Sequence, residues 1–271
     1  MIDYETNREK WKLDLWWERV DAVENSIIDI AEEKKTDESI DYVIIRNYGR
    51  LSLCLREMLT LLLNGYPDGA LAIARSAYEI AIITDFLYSE VEKKGDKQLL
   101  KCYLADHNVK VYKSQKQLNE EMLKLPEPSS TLGKRIQQLK ENLKEIEVQH
   151  GKISGMYWWA RSTFDGKNPT FSMIDEKIND DLMLRILYKR ACIAIHASSM
   201  GSMALLGRHN ERGNIIYTTA TDEGFEAPLL LGMVSHERVV DVICDYWKLE
   251  KKKIFKDADE LYKLYAKNVF F

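Results

Sequence analysis

The sequence predicts an all-α fold, a multi-helix bundle with a projecting charged helical hairpin. Glycine and proline, which interrupt helices, number only 13 and 5 in 271 residues. Apolar residues recur at spacings of three and four along most of the chain. The few strong breaks, such as Asn64-Gly65 and Pro126 with Pro128, fall between these stretches. Roughly seven to nine helices in one domain, 1–271, are expected.

Residues from about Tyr4 to Lys35 read as one polar amphipathic helix, with Trp16, Val20, Val23 and Ile27 as its apolar stripe. A second helix runs from about Ser39 to Leu63 and stops at Asn64-Gly65. The turn Tyr66-Pro67-Asp68-Gly69 leads at once into an apolar helix to about Glu90. Such a short connection implies an antiparallel pair. Gln98 to Leu123 and Thr131 to Val148 are charged helices, the latter with Leu132, Ile136, Leu139, Leu143 and Ile146 on one side. They form a helical arm of about 97–149. An irregular aromatic stretch, about 151–171, follows. A helix from Asp180 to Leu206, a polar loop from Gly207 to Gly224 with an extended piece at Asn214–Tyr217, and helices at Pro228–Leu249 and Asp257–Asn268 complete the chain.

The charged residues nearly cancel, with a net charge of -4, which argues against a strongly electrostatic nucleic-acid binder. Cys54, Cys102, Cys192 and Cys244 form no CxxC pair, so neither a cysteine zinc site nor a disulfide framework is expected, and the compartment reads as the reducing cytoplasm. Met1 to Lys10 is polar, so no secretory leader is expected, and no apolar run approaches the roughly 18 residues a membrane span needs. No phosphate-binding loop, dinucleotide fingerprint, nucleophile elbow or metal-ligand spacing occurs; His236 and Glu237 form no HExxH. No cofactor is expected.

Two apolar helical segments carry the ionisable groups that stand out. Arg75 and Glu79 lie four apart, on one face, among Ala72, Ile73, Ala74, Ala77, Ile80 and Ala81. Charges in such surroundings are expensive unless paired. They read either as a structural ion pair or as the polar floor of a pocket. His196, among Ile195, Ala197 and Ser198, reads as a core histidine or as a general acid or base. Trp158 and Trp159, in the irregular stretch, read as a lid over the core or as a stacking platform. His107, Arg208 and His209 read as surface residues.

Arg190 and His196 match the loose Arg-x4–6-His pattern of the higher-eukaryote-and-prokaryote nucleotide-binding (HEPN) helical ribonucleases. There an Arg would stabilise the phosphate charge while a His assists attack by a ribose 2′-hydroxyl. Ala191 stands where that pattern tends to carry a polar residue. Six residues turn a helix by about 240°, so the pair shares no face without a dimer partner.

Taken together, Gly65 or Gly69 through Arg75-Ser76 and Glu79, then Trp158-Trp159, then Tyr188, Cys192 and His196-Ala197-Ser198 resemble a bacterial family catalogued as DUF5677, over about residues 40–210. The resemblance implies that Arg75, Glu79, Tyr188 and His196 are neighbours in space. It also implies an effector or accessory role in bacterial or phage conflict systems. The leading expectation is therefore a cytoplasmic, homodimeric, HEPN-like effector that cleaves RNA without a metal: His196, Arg190, Arg75 and Glu79 catalytic, Tyr188, Trp158 and Trp159 binding. The alternative is a non-catalytic binding or regulatory module in which the same cluster is structural or recognises a ligand or protein partner.

Overall fold

A computed structural model of the chain describes residues 4–33, 39–195, 206–210, 213–216, 224–250 and 263–266. It is an all-α multi-helix bundle, with one short antiparallel β-ribbon among the described residues. The helices are α1 (Tyr4–Lys10), α2 (Leu13–Glu33), α3 (Ile40–Leu63), α4 (Pro67–Tyr88), α5 (Lys97–Met122), α6 (Leu132–His150), α7 (Phe171–Ile178), α8 (Leu182–Ile195) and α9 (Glu226–Trp247). A π-helical turn (Ser89–Lys93) follows α4, and a 3-10 helix (Trp158–Phe164) precedes α7. The chain divides into two compact units, Met1–Phe86 with Asp175–Phe271, and Leu87–Ile174.

In the first unit, the single N-terminal helix expected over Tyr4–Lys35 is two. The chain breaks at Trp11-Lys12, where Lys12 takes φ 50. Packing supplies the reason. Trp11 and Leu13 are both buried, and two residues two apart lie about 200° apart on one continuous helix. The break turns both inward. Trp11 stacks on Phe225 and meets Tyr265, whose hydroxyl donates to the Trp11 carbonyl at 2.8 Å. The expected stripe of α2, Trp16, Val20, Val23 and Ile27, is buried.

The α3–α4 turn is a Schellman stop. Gly65 N–H donates to the Leu62 carbonyl and Tyr66 N–H to that of Leu61, both at 2.9 Å, with Gly65 at φ 76. Pro67 then opens α4, where its missing N–H costs nothing. Ala70, Ala74, Ala77 and Ala81 are all fully buried along α4, a small-residue stripe that admits close neighbours. In α9, a Cβ added at Gly232 would lie 2.7 Å from Met58 Sδ on α3, so this glycine sets how closely α9 packs on α3.

His236 on α9 is 1% exposed, beside the rings of Trp16 and Tyr48. Burial, reinforced by the Arg19 charge, pushes its pKa down to about 3. The unfolded chain binds this proton near pH 6.5 and the folded chain does not. Stability from this residue is therefore intact above pH 6.5 and is lost as pH falls toward the folded value. The expected result is a loss of about 2.5 kcal/mol between pH 7 and pH 4.5 in wild type relative to His236→Gln. Urea unfolding of both proteins across that range checks it; parallel pH profiles would contradict it.

The helix expected over Asp180–Leu206 begins at Leu182 and is described to Ile195. Leu206 opens a strand instead: β1 (Leu206–Asn210) pairs antiparallel with β2 (Gly213–Ile216), with His209 opposite Asn214. The loop expected over Gly207–Gly224 thus holds a ribbon, and β2 overlaps the extended piece read at Asn214–Tyr217. Of the helix expected at Asp257–Asn268, residues 263–266 are helical; the rest lies outside the described residues.

In the second unit, α5 and α6 form an antiparallel hairpin, since His150 at the end of α6 meets Gln98 and Cys102 near the start of α5. Asp96 caps α5 by accepting from Leu99 N–H at 3.0 Å. Leu132, Ile136 and Leu139 are buried, while Leu143 and Ile146 are half-buried. The stretch read as irregular is more ordered than expected. Arg161 donates to the carbonyls of Lys152 and Ser154 and to the side chains of Ser154 and Asn168, which ties the turn together.

Candidate functional site

The first unit brings Arg75, Glu79, Tyr188 and Cys192 together. Arg75 and Glu79 lie one turn apart on α4, and Tyr188 and Cys192 one turn apart on α8. The two pairs meet in crossed order, so the helices run antiparallel here. Arg75 Nε–H donates to Cys192 Sγ at 3.1 Å. Arg75 Nη2 lies 2.5 Å from Glu79 Oε1 and 3.5 Å from the Tyr188 hydroxyl. Tyr188 donates to the same Glu79 Oε1 at 2.6 Å. The guanidinium lies 5.5 Å from the centre of the Tyr188 ring, a cation–π contact.

The electrostatics follow from these distances. Burial and the adjacent Glu79 carboxylate hold the Tyr188 phenol above its usual range, so it keeps its proton and donates. Burial alone would lower the Arg75 pKa, but the Cys192 bond and the Glu79 charge raise it, so it stays charged. The side chains of Arg75 and Glu79 remain 27% and 25% exposed. The pair is therefore half-buried and not sealed in the core.

Behind it runs a buried polar relay that sequence reasoning missed. The Tyr78 hydroxyl donates to Asp175 Oδ1 at 2.9 Å and accepts from Asn179 Nδ2 at 2.7 Å. Asn179 Oδ1 accepts from Arg238 Nη2 at 3.2 Å, and Arg238 Nη1 pairs with Asp85 at 2.7 Å. Burial pushes the Asp175 carboxyl above its usual range, against the bonds from Tyr78 and Asn179. The Tyr78 ring lies 5.4 Å from that of Tyr188, which joins relay to cluster. The signal for α7 was present in the sequence: Phe171, Ile174 and Ile178 at helical spacing behind Thr170, whose Oγ1 accepts from Met173 N–H. The pairing of Arg238 with Asp85 carried no such signal.

The other sequence candidates fall elsewhere. Arg190 is exposed on α8 and makes none of the cluster's bonds. His196 lies outside the described residues. Trp158 and Trp159 belong to the second unit, where both indoles are buried. Trp158 Nε1–H donates to Asp106 at 2.7 Å, and Trp159 packs edge-on against Tyr103. His107 is exposed, as expected. Among the described residues no His, Cys, Asp or Glu group of three or more is arranged to hold a metal ion, and no helix is long and apolar enough to cross a membrane.

Fold and cluster together define an all-α bundle protein with a half-buried polar cluster between two antiparallel helices. The chain belongs to a family of unknown function, DUF5677, whose model matches residues 41–214 and so spans both helices of the cluster. No curated protein and no solved structure gives a match to the chain.

Proposed function

We propose that the chain is a non-catalytic helical recognition module, with the Arg75–Glu79–Tyr188–Cys192 cluster as its ligand-contact surface. The observation that supports this is the balance of the cluster. The guanidinium and the carboxylate neutralise each other, and their shared bonds converge on one oxygen, Glu79 Oε1. Glu79 Oε2 and Arg75 Nη1 have no partner among the described residues. A carboxylate oxygen and a guanidinium nitrogen in one half-buried cluster suit a polar ligand that offers both a donor and an acceptor. Bare phosphate would meet the Glu79 charge. The test is thermal unfolding of the purified protein with nucleoside monophosphates, N-acetylated dipeptide amides and inorganic phosphate. At least one nucleotide or dipeptide amide should raise the Tm in wild type and lose that effect in Glu79→Gln and Tyr188→Phe, with phosphate inert. No shift with any of them, or an equal shift with phosphate alone, would refute the reading.

A second reading is the RNA-cleaving, HEPN-like defence effector, working as a cytoplasmic homodimer on RNA. It is favoured by the residue types gathered in the cluster. Glu79 could accept a 2′-hydroxyl proton, and Arg75 and Tyr188 could donate to the phosphate oxygens. In this reading His196, four positions after Cys192 in the sequence, serves as the acid. Arg190 stands apart from the cluster, so its part would be contact with the RNA backbone. Expression in bacteria separates the two readings. Growth arrest with RNA cleavage, lost in His196→Ala, supports the effector. Equal harmlessness of both proteins, with intact RNA after incubation with the purified protein, rejects it.

A further inference from the structure

We infer that the outer face of α8 pairs antiparallel with the same face of a second copy of this chain. On that face Leu182, Met183 and Ile186 are 59%, 43% and 40% exposed, and Lys189 and Arg190 are exposed beside them. At about 100° per residue these five side chains span about 120° of the helix, with Ile186 in the middle. The inner face carries Leu184, Leu187, Tyr188 and Ala191, all buried. A helix at the surface of a bundle ordinarily turns a polar face to water. Here apolar side chains stand on both faces, and an exposed apolar stripe rimmed by charge marks a contact surface.

The distribution of charge selects the occupant. The N-terminal end carries Asp180, which is exposed, and Asp181, which caps α8 by accepting from Met183 N–H at 2.8 Å and Leu184 N–H at 3.2 Å. The C-terminal half carries Lys189 and Arg190. Arg185, between the two ends, is engaged with Glu176 at 3.6 Å. With acid at one end, base at the other and apolar side chains between, the face is its own complement when two copies run antiparallel about a two-fold axis at Ile186. Arg190 of one copy then lies about 6 Å from the axis and Asp181 of the other about 7.5 Å on the same side, so opposite charges come level. Parallel pairing would set Lys189 and Arg190 against themselves. The 14 residues of α8 cover about 21 Å, so the pairing is at the small end of specific interfaces and the dimer is weak and concentration-dependent. It uses none of the bonds of the Arg75 cluster, and it gives the homodimer of the second reading a definite interface.

The experiment is sedimentation equilibrium of the full chain from about 5 to about 500 μM, a range that spans a weak dimer. A reversible monomer–dimer equilibrium is expected. Ile186→Lys sets two like charges on the axis and should weaken the dimer at least about tenfold; far-UV circular dichroism checks that the variant folds. Lys189→Glu with Arg190→Glu should also weaken it, and adding Asp180→Lys should restore part of the loss. Lys140→Glu, exposed on α6 in the second unit, should change nothing. On oxidation Ile186→Cys should give a disulfide-linked dimer above the wild-type background. Lys189→Cys, whose two copies lie about 9 Å apart along the helices, should not. A monomer at every concentration, a dimer that Ile186→Lys leaves intact, or equal cross-linking by the two cysteine variants overturns the inference. If the chain is monomeric and a ligand still raises the Tm in a Glu79-dependent way, the dimer falls and the recognition reading stands. If the chain dimerises as described and no ligand acts, the reverse holds.

Discussion

Arg238→Met should lower the unfolding free energy by about 3 kcal/mol, near the lower end of the range for breaking a buried charged pair. The side chain links two partners in the first unit, Asp85 at 2.7 Å and Asn179 at 3.2 Å, and the Arg238–Asp85 pair is about four-fifths buried. Methionine fills much of the space but leaves the Asp85 carboxylate without this cation. It also removes a donor from Asn179, which holds the Tyr78 hydroxyl. Urea unfolding followed by far-UV circular dichroism measures the loss. The double variant Arg238→Met with Asp85→Asn should recover part of it, since no buried charge is then stranded. A loss under about 0.5 kcal/mol in the single variant would show that the pair is solvent-screened and not structural.

Trp158→Ala should cost more, about 3–5 kcal/mol, because it empties the volume of a fully packed indole. Trp158 is 3% exposed, and Asp106, which accepts its N–H, is 5% exposed. Trp158→Phe separates the two contributions. It keeps most of the packing and removes only the donor to Asp106, which Lys110 still approaches at 2.6 Å. The phenylalanine variant is therefore expected to lose about 1–2 kcal/mol. Hydrogen exchange of the full-length protein reads the effect where it should appear, in the amides of α5 around Cys102 to Val109. Equal losses for the two variants would mean that the hydrogen bond, not the ring, holds the second unit.

What was legible in the sequence follows from distance along the chain. The stripes of α2 and α6, the stop at Gly65 and the shared face of Arg75 and Glu79 are local, and each declares itself within one or two turns. Tyr188 is placed beside Arg75 only by the resemblance, because nothing within α8 points toward α4; Cys192 joins them only in the fold. Asp175, Asn179, Arg238 and Asp85 were passed over for the same reason. Each is an ordinary polar residue until a helix far away in sequence supplies its partner. The break at Lys12 was hidden differently. Continuous helical propensity favoured one helix, and only the joint burial of Trp11 and Leu13 shows why the chain turns. Arg190 shows the reverse case: its spacing to His196 is visible in the sequence, while in the fold it is exposed and apart from the Arg75 cluster.

The bond between Tyr188 and Glu79 spans 109 positions of sequence, and it sets a rule for relatives of this chain. A phenol that donates to a carboxylate oxygen and a carboxylate that depends on that donor cannot drift independently. Where a relative has lost the acid at the position of Glu79, the tyrosine should have become phenylalanine or a smaller residue. Where the tyrosine persists, an acceptor should persist with it. The two helices would then carry a paired record of whether the site is still in use, readable from sequences alone as joint presence or joint loss.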